Sequence, residues 1–494
     1  MIFSGFWIWT WTWILAGTFR EVSAAAGATA AAANYTVAAG WYAGWHATDL
    51  PLTSVLWDKY THMTYAFAVP TEDPAAISLA DSDAQFLPQF VSAAHRNGVK
   101  AGLSIGGWGG SQFYSINLGS SANRTAFVKS VTSLVQKYGL DLIDFDWEFP
   151  ATQGVGCNTI SSDDPANFVL MLEELRASPS GKNLTLTAAT SVTPYADANS
   201  STIAQFVGAL DWIVPMVYDL SWNWTAGSPR IQRALPSSPL DDSCYSSVPD
   251  ATAGAGSTAG SGLWGLAGRG SARSAVEAWV GSGAPASKIV LGMPAYGHSF
   301  NVNASAAFVG PNSTLLSPYP AYDTLNHSIG DSWDSTGGVD QCGVYQGPGG
   351  TWDFWALVQG GYLLSNGSAA PGVPYRWDQC ASVPYLYINN SGGSGSGSGG
   401  VLVTYDDPQS YTAKGTFVRA NGLRGFAMWE VAGDPRGVLL DAILSAPAPT
   451  GTAVPASAAA PSASRLPTSY AATGFVVPGI LFTLLLPALC TIVC

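Results

Sequence analysis

The chain has 494 residues, 47% of them apolar and only 11% charged, enough for one large catalytic domain or two modest ones. Its net charge of −13 and acidic pI exclude nucleic acid as a partner, which needs a Lys/Arg footprint, and favour a neutral substrate. The 19 Trp, 20 Tyr and 19 Phe supply either core volume or flat platforms on which sugar rings could stack.

The N-terminus opens on an apolar run from Phe3 to Phe19, followed by Arg20-Glu21 and the small residues Ser23-Ala24-Ala25-Ala26. This pattern predicts a secretory signal over residues 1–26. No Lys or Arg precedes the run, so an uncleaved anchor stays open as the alternative. Asn-X-Ser/Thr sequons at Asn34, Asn123, Asn183, Asn199, Asn223, Asn303, Asn312, Asn326, Asn366 and Asn389 fit a glycosylated, secreted exterior.

Eight short runs rich in β-branched or aromatic residues follow: Val37–Tyr42, His62–Ala68, Lys100–Ile105, Leu140–Trp147, Leu184–Ala189, Trp212–Tyr218, Lys288–Pro294 and Leu423–Trp429. Amphipathic stretches such as Thr125–Tyr138, Phe168–Ala177 and Ala272–Val280 lie between them, and Asp164-Pro165 is a helix-start signal. Strands alternating with helices predict an α/β fold, a TIM (β/α)8 barrel over residues 37–445. The stretch between Pro294 and Leu423 is far too long for one helix. It predicts a small inserted α+β subdomain, residues 298–403, before the last strand. Thr252–Gly262 and Gly392–Gly400 read as exposed loops.

Beyond Ala446 the composition turns to Ala, Pro, Ser and Thr, a linker over 446–473, and ends in an apolar tail over 474–494. No charge follows the tail. It reads as a GPI-attachment signal with small residues near Ser462–Ser464, or else as a membrane anchor. The expected localisation is therefore extracellular, held at the cell surface or wall by the tail.

Cys490 and Cys494 belong to that tail; Cys157, Cys244, Cys342 and Cys380 belong to the folded part. In an oxidising compartment the four can form two disulfides. Grouping them by region of the proposed fold pairs Cys157 with Cys244 and Cys342 with Cys380. There is no Cys-X-X-Cys and only five His occur, so neither a metal site nor a cofactor is expected.

The most informative segment runs from Gly139 to Pro150. Read as a strand, it puts Asp144, Asp146 and Glu148 on one face and Ile143, Phe145 and Trp147 on the other, where helices would pack. Asp141 has the opposite parity and caps the strand start. Three acids then point into the barrel, with Glu148 at the C-terminal mouth where such barrels carry their sites. Acids roughly 6–7 Å apart along a strand cannot all ionise comfortably, so protons are shared and some pKa values rise. A raised pKa is what a general acid needs. Neighbours on one strand approach a bond from one side only. A glycosidase built this way draws its second group from elsewhere, and a 2-acetamido group on the substrate can supply it.

Asp141, Asp144, Asp146 and Glu148 in this spacing resemble the Asp-x-x-Asp-x-Asp-x-Glu signature of glycoside hydrolase family 18, the chitinases. Ser104-Ile105-Gly106-Gly107-Trp108, Met216-Val217-Tyr218-Asp219 and Ala427-Met428-Trp429 resemble the family's third-, sixth- and last-strand motifs. Tyr65-Ala66-Phe67, Pro294-Ala295-Tyr296-Gly297 and Tyr405-Asp406-Asp407 fit as well. The resemblance covers about residues 37–445, and the insert resembles that of deep-cleft members.

The resemblance implies a retaining chitinase acting through an oxazolinium ion. Glu148 would protonate the leaving oxygen, Asp146 would steady the acetamido group, Asp144 would share a proton with Asp146, and Tyr218 would donate to the acetamido oxygen. Asp219, Trp429 and Trp108 would contact sugars, as would Gly107, Met216, Phe149, Tyr42 and Phe67. Phe149 stands where the family often has Tyr. The implied partner is chitin or a chitooligosaccharide, bound by a monomer that meets a membrane only through its tail. Two alternatives share the motifs: an inactive chitin-binding lectin and an endo-β-N-acetylglucosaminidase acting on N-glycans.

Overall fold

A computed structural model describes residues 35–221, 233–244, 270–322, 328–389 and 399–448. The N-terminal signal, the linker beyond residue 448, the apolar tail, the Thr252–Gly262 tract and residues 392–398 of the expected Gly392–Gly400 loop lie outside the described residues. No helix among the described residues is long and apolar enough to cross a membrane.

All eight expected runs contain a strand: β1 (Val37–Ala43), β2 (His62–Pro70), β3 (Lys100–Gly106), β4 (Leu142–Asp146), β5 (Thr185–Thr190), β6 (Trp212–Pro215), β7 (Val290–Pro294) and, after the insert, Gly425–Trp429. They pair in parallel, in sequence order, with the Gly425–Trp429 strand between β7 and β1. Parallel bridges Ile213↔Ile289 and Met216↔Gly292 close the circle between β6 and β7. Helices α1 (Asp81–Arg96), α2 (Ser121–Tyr138), α3 (Asp164–Ala177), α4 (Ser200–Ala209) and α5 (Ala272–Gly281) are spaced between the strands. The fold is a TIM barrel.

Strand alternation builds two cores. Inside the barrel, Val37, Ala39, Trp41, Leu142, Trp212, Val214, Val290 and Ala427 form one apolar cluster. Residues of opposite parity, among them Ala38, Tyr42, Ile143, Phe145 and Trp147, join the large core shared with the helices. Asp141 ties the start of β4 to its neighbours: Oδ2 accepts from Ala101 N–H at 3.0 Å and contacts His95, while Oδ1 accepts from Lys100 at 3.1 Å.

Between β7 and the last barrel strand the chain forms an antiparallel sheet of β8 (Tyr296–Asn303), β9 (Thr351–Asp353), β10 (Tyr375–Asp378), β11 (Val383–Asn389) and β12 (Gly399–Thr404). The last barrel strand is therefore β13 (Gly425–Trp429), reached through helix α6 (Pro408–Ala420). Gly399 and Gly400, expected in a loop, begin β12 instead. Backbone pairing to Asn303 and Val302 holds them, and a side chain at Gly400 would strike Ile388 O at 2.5 Å.

The disulfide pairing differs from the regional grouping. Cys157 bonds Cys342 and Cys244 bonds Cys380. Each bridge ties a barrel loop to the insert rather than closing within one region. Proximity in the chain is a poor guide here because the insert folds back over barrel segments more than a hundred residues earlier.

Candidate active site

The C-terminal ends of the strands open into a cleft of about 520 Å3, within the size range of small-ligand sites. Asp146, Glu148, Gly107, Trp108, Phe149, Met216, Tyr218, Asp219, Trp429 and Phe67 line it, together with Trp41 and Trp45. Of the residues expected to touch a sugar, only Tyr42 is elsewhere. It has the opposite parity to Trp41 on β1, so its ring packs outward near Tyr65, Phe86 and Phe90, and its hydroxyl donates to Leu50 O at 2.7 Å. Trp41 takes the inward place.

The acid ladder is ordered by its hydrogen bonds. Asp144, lowest in the barrel, accepts from Trp41 Nε1 at 3.0 Å, Ser104 Oγ at 2.8 Å and Thr187 Oγ1 at 2.6 Å. Strand register explains two of these donors, since Ser104 and Thr187 sit directly beside Asp144 on β3 and β5. Trp41 reaches it across the lumen from β1. Burial pushes the Asp144 carboxyl up, and the three donors oppose that shift. Asp146, one step higher, is buried, and its Oδ1 makes no hydrogen bond. Burial, then the adjacent Asp144, push it well above the usual carboxylate range.

Glu148 stands at the rim, half-buried. Its carboxyl is likewise pushed well above the ordinary glutamate range, first by burial and then by the charges of Asp146 and Asp219. Backbone contacts fix its place: its N–H donates to Ser111 Oγ at 2.9 Å, and its carbonyl accepts from Asn158 Nδ2 at 2.9 Å. A side chain on Gly154 would strike that carbonyl at 2.2 Å. Gly107 N–H donates to Asp146 O at 2.8 Å, and Gly106, at φ +113°, lets the β3 backbone come that close.

Two strands along the ring from the ladder, Tyr218 and Asp219 leave the end of β6. Burial, then the charge of Asp146, hold the Tyr218 phenol well above its ordinary value, so it stays a neutral donor. Asp219 adopts φ +59°. Its Oδ1 accepts from Tyr296 at 2.8 Å and contacts His298 Nε2 at 2.7 Å. Tyr296 and His298 share one face of β8 by simple alternation, a pattern present in the sequence. Trp429 ends β13. Its ring stacks on Phe67 at 5.5 Å, meets Trp41 edge-on at 6.0 Å and lies 6.3 Å from the exposed Trp45. Acids on one wall, a phenol and a carboxylate on another and an indole floor can bind a ring with polar edges and protonate a bond beside it.

Residues 37–434 match the sequence family described as glycosyl hydrolases family 18. A chitinase-like effector of Moniliophthora roreri is 41% identical over 84% of this chain and 94% of its own length. Chitinase A1 of Niallia circulans is 29% identical over 72% of this chain and 44% of its own. The crystal structure of a chitinase from Rhizomucor miehei superposes with a TM-score of 0.66 at 29% identity, covering 82% of this chain and 98% of that one.

Proposed function

Because the chain belongs to glycosyl hydrolase family 18, we propose that it is a chitinase, hydrolysing the β-1,4 bonds of N-acetylglucosamine polymers with retention. The observation that carries this reading is the ladder itself. A donor-locked Asp144 lies beneath a buried, unpartnered Asp146 oxygen, and above them stands a Glu148 whose environment favours its proton.

In the first step Glu148 gives its proton to the glycosidic oxygen as the bond from that oxygen to the anomeric carbon breaks. The acetamido oxygen attacks that carbon from the other face, forming an oxazolinium ion. Asp146 accepts from the acetamido N–H, and its free oxygen is the group available for this. Tyr218 donates to the acetamido oxygen and orients it. In the second step Glu148, now a carboxylate, takes a proton from water. The water oxygen attacks the anomeric carbon, the oxazolinium C–O bond breaks, and the acetamido group is restored. Two inversions give retention. Trp429 floors the reacting sugar, and Trp108 and Phe149 flank its neighbour. Two disulfides support folding in an oxidising, extracellular compartment.

The test is turnover of a chromogenic chitobioside beside its de-N-acetylated counterpart. Only the acetylated substrate should be cleaved, and Glu148→Gln should slow its cleavage by about a hundredfold or more. Equal cleavage of both substrates would refute the acetamido mechanism.

A second reading is a protein that binds chitooligosaccharides without cleaving them. It is favoured by the description of two relatives, 41% and 39% identical, as chitinase-like effectors. Calorimetric binding of chitotetraose by the wild-type chain, with no product after prolonged incubation, would select it.

A further inference from the structure

Tyr218 lies just past the regular part of the barrel. Strand β6 ends at Pro215, and its contact with β7 ends at the bridge between Met216 and Gly292. Strand pairing therefore stops short of the backbone that carries the phenol. The Tyr218 ring rests where β7 has no side chain, since a Cβ on Gly292 would lie 3.2 Å from Tyr218 Cε1.

A short segment, Ser237-Ser238, holds that backbone instead. Ser237 Oγ accepts from Asp219 N–H at 3.2 Å, and Ser237 O accepts from Leu220 N–H at 3.0 Å. Ser238 Oγ donates to Val217 O, the carbonyl of the peptide bond leading into Tyr218. That peptide plane sets ψ of Val217 and φ of Tyr218. Holding its carbonyl fixes the direction in which the Tyr218 side chain leaves the backbone.

The Ser238 hydroxyl has one proton, and its direction is set from behind. Lys414 on α6 donates to Ser238 Oγ at 2.8 Å and to Asp406 Oδ1 at 2.6 Å. An ammonium has donors only, so Lys414 takes a lone pair of Ser238 and leaves the hydroxyl proton for Val217 O. Ser410 Oγ reaches the same Asp406 oxygen at 2.6 Å. Ser238, Asp406 and Lys414 are all buried, and none of them lines the cleft. A buried ion pair is weak evidence of added stability, because desolvation offsets its attraction. A charge-assisted hydrogen bond is stronger than a neutral one, and this chain of them ends one residue from a group that must be aimed.

We propose that Ser238 and Lys414 are positioning residues, which clamp the Val217 carbonyl and thereby aim the Tyr218 hydroxyl at the acetamido oxygen. This rests on the chitinase reading of the cleft.

The test is a double-mutant cycle of Ser238→Ala with Tyr218→Phe in the full chain, read as kcat/KM on a chromogenic chitobioside. Ser238→Ala should lower kcat/KM about tenfold, within the reach of a small misplacement of a reacting group. In the Tyr218→Phe background the same change should cost less than about twofold, because the hydroxyl it aims is gone. Equal losses in the two backgrounds overturn the proposal, since a merely structural serine would weaken both chains alike. So does an unchanged kcat/KM in Ser238→Ala. If Ser238→Ala does not fold, Lys414→Met combined with Asp406→Asn removes the ion pair without stranding a charge and enters the same cycle. Failure of the hydrolase reading registers separately, as a wild-type chain that binds chitotetraose and never cleaves it. The cycle is then scored on chitotetraose affinity, which Ser238→Ala should weaken only where Tyr218 is present.

Discussion

The indole N–H of Trp41 crosses the barrel lumen from β1 to donate to Asp144 Oδ2 at 3.0 Å on β4. That bond is one of three that keep negative charge tolerable on a carboxylate with almost no solvent contact. It places Trp41 in two roles at once, as a cleft wall and as the electrostatic support of the ladder's lowest acid.

Trp41→Phe should keep the ring and lose the donor. A hydrogen bond to a charged group is worth about 1.5–3 kcal/mol, so kcat should fall roughly 10–100-fold. With one of its lowering influences gone, Asp144 should titrate at higher pH. The acidic limb of the kcat profile should move upward, and a pH–rate series on a chitobioside reads both effects. Unchanged limbs would mean that Asp144 is held by Ser104 and Thr187 alone.

Glu148→Gln should lower kcat by about 10²–10⁴-fold, the usual reach of general acid catalysis, with oligosaccharide binding retained. It should also stabilise the fold at neutral pH. The Glu148 pKa is raised in the folded state, so its contribution to stability is fully present below the unfolded value. That contribution is lost as pH rises through the folded one. The amide has no charge to bury. Melting curves should therefore show the variant above wild type at neutral pH and the two converging in acid.

Asp219 is one of the charges that raise the Glu148 pKa, after burial and alongside Asp146. Asp219→Asn removes that charge while keeping an acceptor for Tyr296 and His298. Glu148 should then lose its proton at lower pH, and the alkaline limb of kcat/KM should move down. A KM change without a limb shift would reduce Asp219 to a sugar contact.

Much of this was legible in the sequence because strand parity is a strict rule. Once Asp144, Asp146 and Glu148 share a face, their neighbours must face the helices, and Phe145 and Trp147 do. On β1 no charged residue marks the inner face, and the resemblance that implied Tyr42 as a sugar contact carries no parity information. Both Trp41 and Tyr42 are aromatic, and only the lumen partner Asp144 decides between them. The disulfides were not legible for a different reason. Pairing depends on how the insert folds back onto the barrel loops, and local pattern carries no information about that. His298 and Tyr296 had a visible alternation, but their partner Asp219 is more than seventy residues away, in the loop after β6.

Two glycines with positive φ separate conformational cost from steric cost. Gly139, at φ +67°, ends α2 in the left-handed region, and a Cβ there would meet nothing within 4 Å. Gly139→Ala should lose only the conformational preference, about 1 kcal/mol. Gly106, at φ +113°, ends β3 beside the ladder, and its Cβ would lie 2.1 Å from Asp146 O. That oxygen is backbone, already bonded to Gly107 N–H, and cannot swing aside. Gly106→Ala must therefore push β3 and β4 apart where Asp146 and Glu148 are aimed. It should destabilise by more than about 3 kcal/mol and cut turnover far more than Gly139→Ala does. Denaturant melts and chitobioside turnover on both variants make the comparison. Equal losses would mean that the β3–β4 contact does not hold the ladder in place.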